Sequence, residues 1–241
     1  MDLNVDAPTI IFNTVSKMSD ATSNAVTVDD VPAIKSRRAP TKGDQREQAL
    51  IDAARTVFRD KPISQVTIDE LAGAAGIARS GFYFYFESKQ ALLAAVVDQG
   101  IAEADLEMSE WLAADGPGRA ELRRGLAAGL ARWKVDGRWL REAFITPDPG
   151  PEVAHVRDRL IDQGCNLFST RIERDARSGR ALAGPPDLIA AMAVRLRSTM
   201  FAEVYADPGA YVEDELLDTL TDAILRLVYG ETPTEAPSPP D

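Results

Sequence analysis

The sequence predicts an all-α protein, and three observations carry that prediction. Apolar residues recur at three- and four-residue spacing between residues 44 and 229, and no convincing strand pattern is present. Glycine and proline gather into short clusters between periodic segments: Asp115-Gly-Pro-Gly, Pro147-Asp-Pro-Gly-Pro, Gly184-Pro-Pro and Asp207-Pro-Gly. The stretch 66–92 reads as two short helices about a glycine turn, with a third helix starting at Ser88. About nine helices are expected, with no internal repeat.

Taken in order, residues 1–34 mix Asp, Thr, Ser, Asn and Val without a sustained period and are expected to be disordered, with Met18 an alternative start. Residues 35–43, Lys-Ser-Arg-Arg-Ala-Pro-Thr-Lys-Gly, read as a basic arm. Such an arm is either a solvated linker or a reach toward phosphates, with Arg37, Arg38 and Lys42 as the contacts. The first helix is expected from Asp44, with Glu47 as its capping partner and Leu50, Ile51, Ala54, Val57 and Phe58 as its buried face. Pro62 stops it.

Thr67 and Glu70 then fit a capping box, with Val66 and Leu71 as a hydrophobic staple. Ile68, Leu71, Ala72 and Ala75 form one stripe, and Gly76 supplies the left-handed residue that ends the helix before Ile77 turns inward. In the next helix Phe82 and Phe86, four apart, anchor to the core. Arg79, Ser80, Gly81, Tyr83 and Tyr85 are left for the exposed face, with Lys89 beside them. A helix–turn–helix with an exposed second helix and basic flanks is a DNA-reading unit. Tyrosine hydroxyls can donate to phosphates. Thr67, at a helix start, lies where backbone amides favour an anion, although capping alone explains it.

A long helix follows from Ser88 to about 114. Leu122, Leu126, Leu130 and Trp133 mark another, closed near Asp136-Gly137, and Trp139, Leu140, Ala143 and Phe144 a shorter one. Helices over 153–178, 187–205 and 211–229 complete the chain. A Pro-rich tail, 231–241, is expected to be disordered. The domain division is therefore 44–88 for the helix–turn–helix and 89–230 for a second, helical domain.

Charge is uneven. The total of −11 argues against indiscriminate nucleic-acid coating, yet residues 35–95 carry +3 between segments of −4 and −10. One cysteine, Cys165, excludes an internal disulfide, and one histidine, His155, excludes His-rich metal ligation. No cofactor or metal is expected, and no paired-carboxylate spacing supports an enzyme. The chain shows neither a spanning apolar run nor a secretory pattern, and a cytoplasmic location without membrane association is expected.

Thr67-Ile-Asp-Glu-Leu-Ala-x-x-Ala-Gly-Ile, then Phe-Tyr-Phe-Tyr-Phe-Glu-Ser-Lys-x-Ala-Leu, resembles the N-terminal domain of TetR-family transcriptional regulators, especially mycobacterial and other actinobacterial members. That resemblance implies a homodimer, formed through the last two helices, on a palindromic double-stranded operator. It also implies a hydrophobic small-molecule effector held in the second domain, whose binding releases the DNA. A repressor is the leading reading; an activator, or a regulator controlled by a partner protein, would use the same module. Thr67, Arg79, Ser80, Gly81, Tyr83, Tyr85 and Lys89 fall on the family's DNA-contact positions. Two departures stand out: Ala78 replaces the usual serine cap of the reading helix, and Gly81 replaces a threonine on its face. Candidate ligand-binding residues are Trp111, Trp133, Trp139, Phe144, Phe168, Met192, Leu196 and Met200. Ala193 and Leu196 fall where a relative has two asparagine anchors, which implies a more apolar ligand or a different binding mode.

Overall fold

The computed structural model describes residues 41–182 and 184–230, with side chains outside 101–106. The predicted disorder of 1–34 and 231–241, and arm residues Arg37 and Arg38, lie outside the described residues.

Capping chemistry sets where the chain starts and stops its helices. Thr41 caps α1 (Lys42–Asp60) in a complete box: its hydroxyl accepts from the Asp44 amide, and the Asp44 carboxylate accepts from the Thr41 amide at 2.8 Å. The helix therefore begins two residues before the expected start, with Asp44 as the third residue of the box rather than the cap. Lys42 belongs to the helix, not to an arm. A short 3₁₀ turn (Ile63–Gln65) leads to α2 (Ile68–Ala74), where Thr67 Oγ1 accepts from the Glu70 amide at 3.1 Å. The Glu70 carboxylate is held by Lys61 Nζ at 2.6 Å.

Gly76, at φ 69°, closes α2: its amide donates to Gly73 O and that of Ile77 to Ala72 O, the paired bonds of a Schellman turn. α3 (Arg79–Tyr85) follows with no side-chain cap at Ala78, as the missing serine implied. Ser88 caps α4 (Lys89–Ala113) through the Ala91 amide. Then come α5 (Arg119–Phe144), α6 (Pro151–Arg177), α7 (Pro186–Ala206) and α8 (Glu213–Tyr229). Prolines open α6 and α7, where no amide donor is needed.

The described residues are thus helical with no strand, and the nine helical elements are eight α-helices and one 3₁₀ turn. One division between helices also differs from expectation. The two helices predicted either side of Asp136-Gly137 are one, α5. Asp136 is buried and accepts from Arg55 and Arg59 of α1, each at 2.6 Å, and from the Trp139 indole at 3.2 Å. Gly137 is needed because the Tyr205 ring lies against it: a β-carbon there would stand 2.2 Å from that ring. Both residues answer to tertiary partners and neither makes a turn.

α2 packs on both α1 and α3, and α1 joins this unit to α4 and α5. Leu50, Phe58, Leu71 and Phe82 fill the space inside this unit. Below it α4 packs on α5 and α6, α6 on α7, and α5 on α7 and α8. A second buried carboxylate, Asp175 of α6, accepts from the Tyr229 hydroxyl of α8 at 2.6 Å and from Arg180 at 3.2 Å. Arg171 lies beside it at 3.6 Å, donates to the Ala114 and Gly116 carbonyls, and stacks 4.1 Å over Trp111.

Candidate nucleic-acid interface and cavity

α3 owes its attitude to two aromatics. Phe82 is fully buried and Phe86 nearly so, with rings 6.3 Å apart, as the four-residue spacing predicted. The face opposite them is open. Arg79 and Ser80 are exposed, and Tyr83 is 49 % exposed. Arg79 pairs with Asp69 of α2 at 2.5 Å; its hydrogen bonds to Asp69 and then Tyr83 raise its pKa further. A β-carbon at Gly81 would meet Ile77 only at an ordinary 3.7 Å. The fold would therefore accept a side chain there, and the glycine leaves room for something outside the chain. Thr67 and Lys42 are exposed at helix starts.

Two of the expected contacts are placed differently. Lys89 is half-buried, and its ammonium donates to Ile63 O at 2.8 Å and Val66 O at 2.6 Å, stitching the 3₁₀ turn to α4. Tyr85 is half-buried and packs on the core. In their place the structure exposes Phe84, 82 % accessible and edge-on to Tyr85. A large apolar side chain held that far into solvent has lost its hydrophobic stabilisation for no benefit within the chain. Its position between Tyr83 and Tyr85, outside the i, i+4 pair of anchors, could have revealed it in the sequence.

Between α4, α5, α6 and α7 lies a cavity of about 90 Å³. Each helix presents one face to it: Leu160, Ile161, Gly164, Leu167 and Phe168 from α6, and Val194, Arg197, Ser198 and Phe201 from α7. α5 adds Trp133, Leu140 and Phe144 with two glycines and Arg132; α4 adds Gly100, Glu107 and Met108. Of the expected ligand residues, Trp133, Phe144 and Phe168 line it. Trp111 does not: it is fully buried and its indole donates to Pro117 O at 2.9 Å. Trp139 is spent on Asp136 and on the face of Gly100. Met192 is exposed, while Leu196 and Met200 pack on the core away from the lining.

The cavity is also more polar than the missing asparagines implied. Arg132 holds Glu107 at 2.6 Å and donates to Gly100 O, and Arg197 stands 5.9 Å from the Phe168 ring. Glu107, Arg132 and Gly164 were not singled out from the sequence, although Gly164 sits at the centre of an apolar stripe.

Residues 50–96 match the family described as bacterial regulatory proteins, tetR family. The chain is 27 % identical over 201 residues to the HTH-type transcriptional regulator EthR of Mycobacterium tuberculosis, covering 81 % of this chain and 92 % of that protein. To EthR of Mycolicibacterium smegmatis it is 29 % identical over 202 residues, with 82 % and 92 % covered. Its fold is similar to that of a TetR-family transcriptional regulator from Mesorhizobium loti, with a TM-score of 0.64 at 18 % identity over 78 % of this chain and 99 % of that one. With an uncapped, aromatic second helix held open on a three-helix unit and these relatives along most of its length, the chain carries the N-terminal domain of the TetR family of helix–turn–helix transcriptional regulators and resembles EthR.

Proposed function

We propose that the protein is a repressor that binds a palindromic operator as a homodimer and leaves it when a small molecule enters the α4–α7 cavity. The observation that carries this reading is the pairing of two features in one chain: a reading helix with an outward aromatic face, and a cavity among the helices that support it. Residues 44–88 serve as the DNA-binding domain and 89–230 as the effector and dimerisation domain. The chemistry is that of a binding protein, not an enzyme, working in the cytoplasm. No helix among the described residues is long and apolar enough to cross a membrane.

Arg79, Ser80, Gly81, Tyr83 and Phe84 read the major groove. Phe84 supplies the apolar surface that recognises a thymine methyl, and Arg79 a charged fork for phosphate or guanine. Lys42, Thr67, Arg37 and Arg38 hold the backbone. Trp133, Phe144 and Phe168 form the apolar wall for the effector, oriented by Glu107, Arg132, Arg197 and Ser198. Leu188 and Met192, one turn apart on α7 and 58 % and 47 % exposed, provide the apolar surface for a partner subunit alongside α8.

The test is selection of bound duplexes from a random pool, followed by fluorescence anisotropy on the enriched sequence. Phe84→Ala is expected to weaken that duplex by about tenfold, with an unchanged melting temperature. Equal affinity for enriched and random DNA at moderate salt refutes the reading. A thermal-shift screen of acyl chains, aromatic esters and drug-like amphiphiles, scored also for DNA release, identifies the effector class.

A further inference from the structure

Asp136 lies on the cavity side of α5, one turn from Trp133 and one turn from Leu140, both of which line the cavity. Its two oxygens are used separately. Oδ2 accepts from Arg55 and Oδ1 from Arg59, residues one turn apart on α1. Attachment at two points fixes not only the distance of α1 from α5 but its rotation about its own axis. Arg138 of α5 adds a third tie, donating to the Arg59 carbonyl at 3.0 Å. The Trp139 indole donates to Oδ1 while its ring presses on Gly100 of α4, itself part of the cavity wall. The carboxylate therefore ties α1 to α5, and its indole partner rests on α4.

The cavity is small. Pockets for drug-sized ligands measure about 300–1,000 Å³. An occupant of that size has to spread the walls of a 90 Å³ space, and α5 is a continuous helix that moves its clamp with its wall. We propose that Asp136 is the positioning residue through which occupancy of the cavity turns the DNA-reading helices. This rests on the effector-responsive reading above, and it adds a route separate from the direct continuation of α3 into α4.

The test is a double-mutant cycle in the full-length protein that needs no identified effector. Gly164→Phe fills the cavity from the centre of the α6 stripe, where a β-carbon meets nothing within 4 Å. Asp136→Asn keeps the shape of the side chain and removes one acceptor. Affinity is read by anisotropy on the duplex that the unaltered protein selects from a random pool. Gly164→Phe is expected to weaken binding by about tenfold with Asp136 present and by less than about twofold in Asp136→Asn. A residue that only stabilised the fold would leave the factor the same in both backgrounds. Circular dichroism checks each variant. Should Asp136→Asn unfold, Arg59→Gln cuts the same clamp from its more exposed arm, and Arg59→Lys is expected to restore the response. Equal weakening in both backgrounds overturns the clamp and leaves the effector reading standing, with α4 as the route. No weakening in either background overturns both.

Discussion

Two buried aspartates, Asp136 and Asp175, do similar chemistry with different consequences. Asp136 has two arginines, both on α1, and they are partly exposed at their far sides. Asp175 is surrounded by Arg171, Arg174, Arg180 and the Tyr229 hydroxyl, so α6, α8 and the α4–α5 turn close around it with partners to spare. Redundancy suits a junction inside one packed unit, where no motion is wanted. A two-point clamp suits a boundary across which one unit turns against another. The carboxylate is in each case the economical choice because it accepts several donors at once in a space too small for several residues.

The largest effect expected from breaking this contrast is Asp175→Ala. It strands the fully buried Arg171, and loss of one partner of a buried pair costs about 3–5 kcal/mol. Denaturant unfolding should show it as a global loss. Asp136→Ala comes next, at about 1.5–3 kcal/mol for hydrogen bonds to charged groups, because Arg55 and Arg59 can turn back to water. Hydrogen exchange should locate that loss in α1 to α3, leaving α6 to α8 protected. Uniform loss of protection would erase the distinction between boundary and core.

Tyr229→Phe is smaller, about 1 kcal/mol for one net hydrogen bond, and it carries a signature at high pH. Burial, then the bond to Asp175, pushes the Tyr229 hydroxyl up to about 12. Its contribution is complete below the ordinary tyrosine value near 10 and is lost as pH rises through about 12. Tyrosinate absorbance should show a late step coupled to unfolding, absent in the variant. Asp136 behaves in the opposite sense. Burial raises its pKa, but the hydrogen bonds and charges of Arg55 and Arg59 outweigh this and hold it below the ordinary value. The clamp is intact above about pH 4 and loosens as pH falls through the folded value. Proteolysis of the α1–α3 unit on acidification, slowed in no way by Tyr229→Phe, is the smallest and last check.

What could be read from the sequence was local. Thr67, Gly76 and Ile77 act on neighbours within five residues, and Phe82 and Phe86 are fixed by helical spacing, so the reading helix and its scaffold were visible. Asp136-Gly137 imitated a turn because its partners, Arg55, Arg59 and Tyr205, lie some seventy to eighty residues away on other helices. Lys89 looked like a phosphate ligand because the carbonyls of Ile63 and Val66 leave no trace in side-chain identity. Trp111 and Trp139 attracted a ligand role through their size alone, whereas both indole N–H groups are satisfied within the chain. Gly164 marks the reverse case: it was not singled out, although a missing side chain in an apolar stripe leaves a space.

The cations of residues 41–95 are mostly occupied at home: Arg55 and Arg59 on Asp136, Lys61 on Glu70, Arg79 on Asp69, Lys89 on carbonyls. Residues 41–95 carry seven basic and seven acidic side chains, so the +3 of the wider segment comes from Lys35, Arg37 and Arg38. Such a surface grips generic DNA weakly, since non-specific affinity comes from released counterions. On the proposed DNA-binding role, dwell times on wrong sequences are then short, the rest of the −11 chain discourages parallel attachment, and the genome can be searched by brief visits that the exposed side chains of α3 prolong only at a matching site.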